Sequence, residues 1–360
     1  MRRVTPLLAT LLLGLVLAPA GDADANAYRA AVSLWAMRHT FYDRAADRYR
    51  ETEGRRAAAR AWAYSQALAA TIDMSAVPRR GRLYVREAAQ RVAGLARYRR
   101  RNGAYAAAIG PRGDVYYDDN EWIALALVRW YELRHSMFAL AKAERIFGFV
   151  VKAWDANPKD SCPGGVFWTT ARGNGDRNTV TTATGALLGL QLYSITHSPS
   201  QLAWSKQMLA WVSHCMLAPD GLLWDHLTLD GGLDQSHWSY NQGTAIGANV
   251  LLYRLTSDAS ALQRAEDLAD HSLAYFDTTP DGHEPPFFLA IFFQNLLDLS
   301  AADGNTEYRT DAQAFADAVW DRVHDPKTGL FRFHDGRPVR LLDQAAMVRI
   351  YAALANERGL

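Results

Sequence analysis

The chain has 360 residues, 49% hydrophobic and 21% charged, enough apolar material for one large core or two modest ones. A formal net charge of +1, from 39 basic and 38 acidic residues, supplies no long-range field for gathering nucleic acid, which is not expected as a partner. The 11 Trp, 16 Tyr and 13 Phe include many rings of the kind that stack on sugar faces, so the composition is compatible with carbohydrate work without demonstrating it.

At the N-terminus, Arg2 and Arg3 precede the apolar run Leu7 to Leu17 and the small residues Ala18-Pro19-Ala20, with a second candidate cleavage point after Ala25. Residues 1–25 therefore read as an export signal, which predicts a secreted, periplasmic or cell-envelope protein. The run is too short to span a bilayer, and no other stretch is apolar enough to do so. No Pro/Gly/Ser-rich linker follows, so residues 26–360 are expected to form a single domain, and a monomer.

Helical patterns run through residues 27–50, 57–72, 82–100, 120–134, 138–154, 179–197, 201–217, 241–256, 260–276, 286–301, 307–323 and 341–357. Leu127-x-x-x-Tyr131-x-Leu133 recurs as Gly189-x-x-x-Tyr193-x-Ile195 and Asn249-x-x-x-Tyr253-x-Leu255, each followed by a polar turn and an amphipathic helix. The repeating unit is a helical hairpin. The last helix still carries the apolar residues Leu341, Leu342, Met347, Ile350 and Tyr351, which an open solenoid would have to cap with polar groups. The expected fold is all-α, a closed (α/α)6 barrel with its site where loops gather at one end of the inner ring. Arg97, Arg99, Arg100 and Arg101 read as a solvated helix end. Cys162 and Cys215 are free to pair, but spacing alone leaves that open, and neither has a metal-ligand partner at familiar spacing.

The segment richest in chemistry is Asp114-Val115-Tyr116-Tyr117-Asp118-Asp119-Asn120-Glu121-Trp122, read as the loop before the fourth helix. One Asp or Asn would suffice to cap a helix; this segment offers several carboxylates among aromatics. Hydrolysis of a glycoside needs one carboxyl group to protonate the leaving oxygen and a second to attack the anomeric carbon or activate water. Two such groups close together cannot ionise independently, so one remains protonated and available as the acid. Asp114, Glu121, Asp225 and Asp234 are read as caps or solvated groups. There is no His-Glu-x-x-His motif, Gly-x-Ser-x-Gly elbow or phosphate-cradling loop, and Gly173-Asn174-Gly175 is a turn. No metal or cofactor is expected.

Tyr116-Tyr117-Asp118-Asp119-Asn120 followed by Trp122-Ile123-Ala124-Leu125-Ala126 resembles the signature of family 76 glycoside hydrolases, the endo-α-1,6-mannanases. Gly164-Gly165-Val166-Phe167-Trp168, Arg177-Asn178 and Tyr240-Asn241-Gln242-Gly243 are similar to later motifs of that family, in the same order. The resemblance implies the (α/α)6 fold, a retaining mechanism with Asp118 as nucleophile and Asp119 as general acid/base, and an α-mannan or mannooligosaccharide substrate. It also implies that Tyr117, Asn120, Asn178, Tyr240, Asn241 and Gln242 line subsites, with Trp168 and Trp224 as stacking candidates against a plainer role as buried rim aromatics. The sequence departs from the family at Ile123, where a second aromatic is common, and at Thr181-Thr182-Ala183, where a second Asn is expected. Alternatives are a transglycosylase of the same family, another (α/α)6 enzyme such as an unsaturated-uronide hydrolase or sugar epimerase, and a non-catalytic mannan-binding protein.

Overall fold

The computed structural model describes residues 21–110 and 113–356; the expected export signal falls largely outside them. Twelve α-helices lie among these residues: α1 (Asp22–Phe41), α2 (Ala61–Ala76), α3 (Val85–Gly94), α4 (Tyr117–Arg134), α5 (Met137–Val151), α6 (Thr179–Thr196), α7 (Pro199–Trp211), α8 (Ser239–Thr256), α9 (Ala259–Tyr275), α10 (Pro286–Asp303), α11 (Glu307–Arg322) and α12 (Leu341–Leu354). The even-numbered helices each pack on the next, and α12 packs back on α2, which closes the inner ring. The odd-numbered helices lie outside, with α1 seated against α12. This is the expected (α/α)6 barrel.

The two rings differ in sequence because they differ in surroundings. Inner α6 buries every residue from Thr179 to Leu190, since neighbours cover both flanks and an outer helix covers its back. Outer α5 and α9 bury only a stripe, which is why their periodicity is visible in the sequence. The Tyr131, Tyr193 and Tyr253 repeat marks the last turn of α4, α6 and α8. In each, the tyrosine carbonyl accepts the N–H of a left-handed residue four positions on: His135 (φ 52°), His197 (φ 55°) or Ser257 (φ 58°). The turns into α5 and α9 are then set by Ser136 and Asp258, whose side chains cap those helices.

Boundaries differ from expectation where short hairpins intervene. The first helix ends at Phe41, because Tyr42–Asp43 and Arg48–Tyr49 pair antiparallel instead of continuing it. The third ends at Gly94, and α7 passes at Trp211 into a π-helical turn over Val212–Met216. The fourth begins at Tyr117, three residues earlier than the sequence pattern suggests, so Asp118 and Asp119 sit in a helical first turn and not in a loop.

A recurrent device fixes these helix starts. The fourth residue of four inner helices reaches back to the backbone of the extended segment before it. In α4, the Asn120 carbonyl oxygen accepts the Tyr105 N–H (2.8 Å) and its amide donates to the Tyr105 and Tyr116 carbonyls. In α8, Gln242 brackets Leu223, accepting its N–H and donating to its carbonyl, each at 2.9 Å. In α6 the Thr182 hydroxyl accepts the Val166 N–H (3.0 Å), and in α12 Gln344 accepts the Phe331 N–H (3.2 Å). Gly243, which follows Gln242, lets α8 approach α10: a Cβ there would lie 2.7 Å from the Phe292 Cα.

Cys162 and Cys215 form a disulfide with their Cα atoms 6.2 Å apart, tying the loop before α6 to the turn after α7. Beside it Arg177, fully buried, pairs with Asp155 at 2.9 Å and donates to the Ser161, Cys162, Gly164 and Thr228 carbonyls. The loops framing one end of the ring are therefore covalently and ionically pinned. No described helix is long and apolar enough to cross a membrane.

Candidate active site

The N-termini of the inner helices meet at one end of the barrel, where aromatic side chains form a plug across the ring. Trp62 of α2 lies 6.3 Å from Trp122 of α4, 6.2 Å from Tyr240 of α8 and 5.9 Å from Phe288 of α10, and Tyr240 stacks on Phe288 at 4.0 Å. Behind it an axial cavity of about 290 Å³ is lined by Trp122, Ile291 and charged groups that include Asp73, Arg129 and Arg349.

Asp118 and Asp119 project from the first turn of α4 beside this plug, both buried. Helical neighbours leave the axis about 100° apart, so the two carboxyls face different surroundings. Asp118 lies on the side of Trp168 and Asp225. Burial pushes it up to about 6, against the backbone N–H groups of the helix start and the Trp168 indole N–H, with the Asp225 charge adding to the rise. Asp119 lies toward α2. Burial and then the Asp118 charge push it well above the usual carboxylate range, opposed by Arg60. Of the two, Asp118 is the more readily ionised and Asp119 the more strongly held in its protonated form.

Asn178 immediately precedes α6 and is almost fully buried, yet its Oδ1 has no protein partner. Asn241 donates to Asp225 Oδ1 at 3.1 Å, and its own Oδ1 is likewise unpartnered. Such orphaned acceptors in a cleft suit hydroxyl donors. Trp168 stays 38% exposed over Tyr116, 5.0 Å away, and Trp224 is half-buried at the edge of the core. Tyr240 stands in the plug.

Three residues expected to touch sugar are engaged elsewhere. Asn120 and Gln242 are fully buried clamps on backbone, as described above, and Tyr117 stacks on Phe149 of α5 at 4.7 Å, propping the outer ring. Two of the carboxylates expected to be caps or solvated also change role. Asp225 reaches the site, accepting from Asn241 and holding His226 Nδ1 at 3.0 Å from its other oxygen. Glu121 is fully buried with neither carboxyl oxygen hydrogen-bonded; burial, then the Asp118 charge, push it well above the usual range. Asp114 and Asp234 are solvent-accessible, as expected. Asp225, His226 and Asp234 could together hold a cation, since their ligand atoms lie within 4.8 Å of one another.

No motif contains Trp62, Phe288 or Arg60, and they reach the site only through ring closure. One signal was available. Gly103-Ala104-Tyr105, Gly165-Val166-Phe167, Gly221-Leu222-Leu223 and Gly329-Leu330-Phe331 each supply the extended segment that an inner helix clamps, so their recurrence points to where those helices begin.

The fold has close relatives among solved structures. A glycoside hydrolase family 76 mannosidase, Bt3792 of Bacteroides thetaiotaomicron, superposes with a TM-score of 0.85 at 22% identity, covering 92% of this chain and 98% of that one. An inactive variant of the α-1,6-mannanase GH76A of Salegentibacter sp. HEL1_6, with two neighbouring aspartates replaced and α-1,6-mannotetrose bound, superposes with a TM-score of 0.79 at 18% identity, covering 92% and 98%. In sequence, the meiotically up-regulated gene 191 protein of Schizosaccharomyces pombe is 26% identical over 255 residues, which is 61% of this chain and 56% of that protein, so the match spans about half of that relative. The family model for glycosyl hydrolase family 76 matches residues 26–319, from α1 through the end of α11's apolar face. On that match, over most of the helical ring that carries Asp118 and Asp119, the chain belongs to glycosyl hydrolase family 76.

Proposed function

We propose that this protein is a retaining, endo-acting mannan hydrolase that cleaves α-1,6-mannosidic bonds, with Asp118 as nucleophile and Asp119 as general acid/base. The observation that carries the reading is the unequal pair at the start of α4: adjacent buried carboxyls in one helical turn, Asp118 beside donors that favour its ionised form and Asp119 pushed up by burial and its neighbour's charge. In the first step Asp118 bonds to the anomeric carbon while the glycosidic bond breaks, and the Asp119 proton passes to the leaving sugar oxygen. In the second, Asp119 takes a proton from water, whose oxygen attacks the anomeric carbon and releases the Asp118 carboxylate. Charge and protons balance over the cycle.

Asn178 and Asn241 would accept hydrogen bonds from sugar hydroxyls, and Trp168 would stack on a ring at the rim. The plug of Trp62, Trp122, Tyr240 and Phe288 would exclude bulk water beneath the reacting sugar. The mannotetrose bound to the structurally similar mannanase supports the substrate class. The export reading rests on the Arg2-to-Ala20 pattern and on paired cysteines, which persist in oxidising compartments.

Asp118→Asn and Asp119→Asn test the assignment. Each should lower kcat on linear α-1,6-mannan by about 10³-fold or more while the far-ultraviolet circular dichroism stays that of the wild type. Retention of wild-type turnover by either folded variant would remove that residue from the chemistry.

A further inference from the structure

The mouth of the ring is electrically lopsided. The α6–α8 side carries Asp225 and Asp234, with Glu284 nearby holding the Ser239 N–H and hydroxyl. Across the ring, the loops that lead into α2 and α12 touch: Glu53 N–H donates to the Val339 carbonyl (2.9 Å) and Leu341 N–H to the Glu51 carbonyl (3.0 Å). These two loops concentrate arginine. Arg332 is paired with Glu53 at 3.1 Å and Arg340 with Asp343 at 2.8 Å. Arg55, Arg56, Arg60 and Arg337 are exposed and, among the described residues, have no carboxylate within 4.0 Å.

Nearly equal numbers of acids and bases in the whole chain make such a run of unpaired guanidinium groups a local feature and not a consequence of composition. Its place relative to the chemistry is defined. Arg60 immediately precedes α2 and acts on Asp119, while the Arg340 guanidinium lies 5.1 Å over the Phe287 ring, itself 6.1 Å from Trp62 of the plug. Outward from there lies an open groove of about 400 Å³ bordered by Glu53, Arg332, His334, Asp335 and Arg337, with Arg55 and Arg56 two and three residues beyond Glu53 in the adjoining loop. A neutral mannose chain needs none of this charge. A guanidinium fork matches phosphate oxygens in pairs, and several of them together bind phosphate where a single exposed one would not.

We propose that the Arg55–Arg56–Arg337 edge is a subsite for phosphate groups carried on the mannan chain, so that the enzyme prefers a phosphate-bearing mannan to a neutral one. This rests on the mannanase reading of the adjacent carboxyl pair. It places the neutral part of the substrate over the plug and its anionic substituent on the α2–α12 side.

The test compares linear α-1,6-mannan with the same polymer phosphorylated to a low degree, for the wild type and for the triple variant R55Q/R56Q/R337Q. At low ionic strength the wild type should show about tenfold higher kcat/KM on the phosphorylated polymer, and the preference should fade near 0.5 M salt as the charges are screened. The triple variant should lose the preference and cleave neutral mannan at the wild-type rate, which also reports that it is folded. Equal wild-type rates on both polymers at low salt, or an undiminished preference in the variant, would overturn the proposal. Should the wild type cleave neither polymer, the hydrolase reading fails, and gel retardation by each polymer still decides the subsite. Retardation of the wild type but not the variant by phosphorylated mannan supports it; equal migration of the two refutes it.

Discussion

The division of labour proposed for Asp118 and Asp119 rests on one step along a helix. The first turn of α4 favours negative charge through its free N–H groups, and Asp118, beside the Trp168 indole as well, keeps the lower pKa. Asp119 is one position on, buried against the first carboxylate, and is pushed higher. A nucleophile must be ionised, so kcat/KM should fall as pH drops through about 6, where Asp118 takes up a proton. An acid limb that stays flat down to pH 4 would contradict this, as would one abolished in Trp168→Phe. That substitution removes a donor to the carboxylate and should move the limb upward. Beneath the pair, Glu121 has no hydrogen-bond partner, and its raised pKa means the folded state holds a proton that the unfolded chain releases. Stability from this group is complete below the unfolded carboxylate pKa and declines as pH rises toward the folded one. Glu121→Gln should therefore match the wild type in denaturant stability at pH 4 and exceed it at pH 8; the reverse order would refute the reading. The sequence made the Asp118–Asp119 pair legible but not Glu121, because a carboxylate after a helix start normally finds water, and only ring closure buries α4 on nearly every side.

At the scale of the element, the clamps explain why motif residues that look alike in sequence do different work. Asn120, Thr182, Gln242 and Gln344 all occupy the fourth position of an inner helix and hold the preceding extended segment. Asn178 and Asn241, just before α6 and at the third residue of α8, sit at other phases and keep an unpartnered oxygen near the site. Helix phase, not residue type, separates the backbone clamps from the residues that keep a free acceptor, and phase depends on a helix start that sequence patterns place only to within a few residues. Gln242→Ala orphans the buried Leu223 N–H and takes one of two partners from its carbonyl, which keeps His237 Nδ1 at 3.0 Å, and should cost about 1–3 kcal/mol of unfolding free energy with little change in KM. Asn241→Ala should do the opposite, raising KM or lowering kcat with a smaller loss of stability. If Gln242→Ala instead weakens substrate binding alone, the clamp assignment fails. Gly165 makes a related point: with φ at +81° and a would-be Cβ 2.6 Å from the Trp211 ring, it is a glycine of packing, although it lies in a motif read for function.

Across the whole molecule, hairpin repetition and the absence of a polar end helix were enough to anticipate a closed barrel, because closure is the way a chain of apolar helix pairs hides its last face. The sequence could not show which residues meet across the ring. Trp62 and Trp122 are 60 positions apart, and Phe288 lies far beyond both, yet all three meet in one plug. Spacing alone likewise leaves the disulfide open, and the fold gives it a clear task. It links Cys162 to Cys215 across 53 residues, on the side of the mouth that carries Trp168, Arg177 and Asn178. Cys215→Ser should lower stability by about 4 kcal/mol through the freed chain entropy of the unfolded state. The loss should be mirrored by reduction of the wild type and absent when the variant is reduced. In the proposed function the carboxyl pair performs a double displacement on an α-1,6-linked mannan, and the stereochemistry of the first products reports it. Proton NMR of the reducing ends formed in the first minutes of digestion of linear α-1,6-mannan reads that stereochemistry. Retention gives mannooligosaccharides that appear first as the α-anomer and only later equilibrate. Initial release of the β-anomer would show inversion and exclude Asp118 as a nucleophile, and no new reducing ends from folded protein would contradict the mannanase assignment itself.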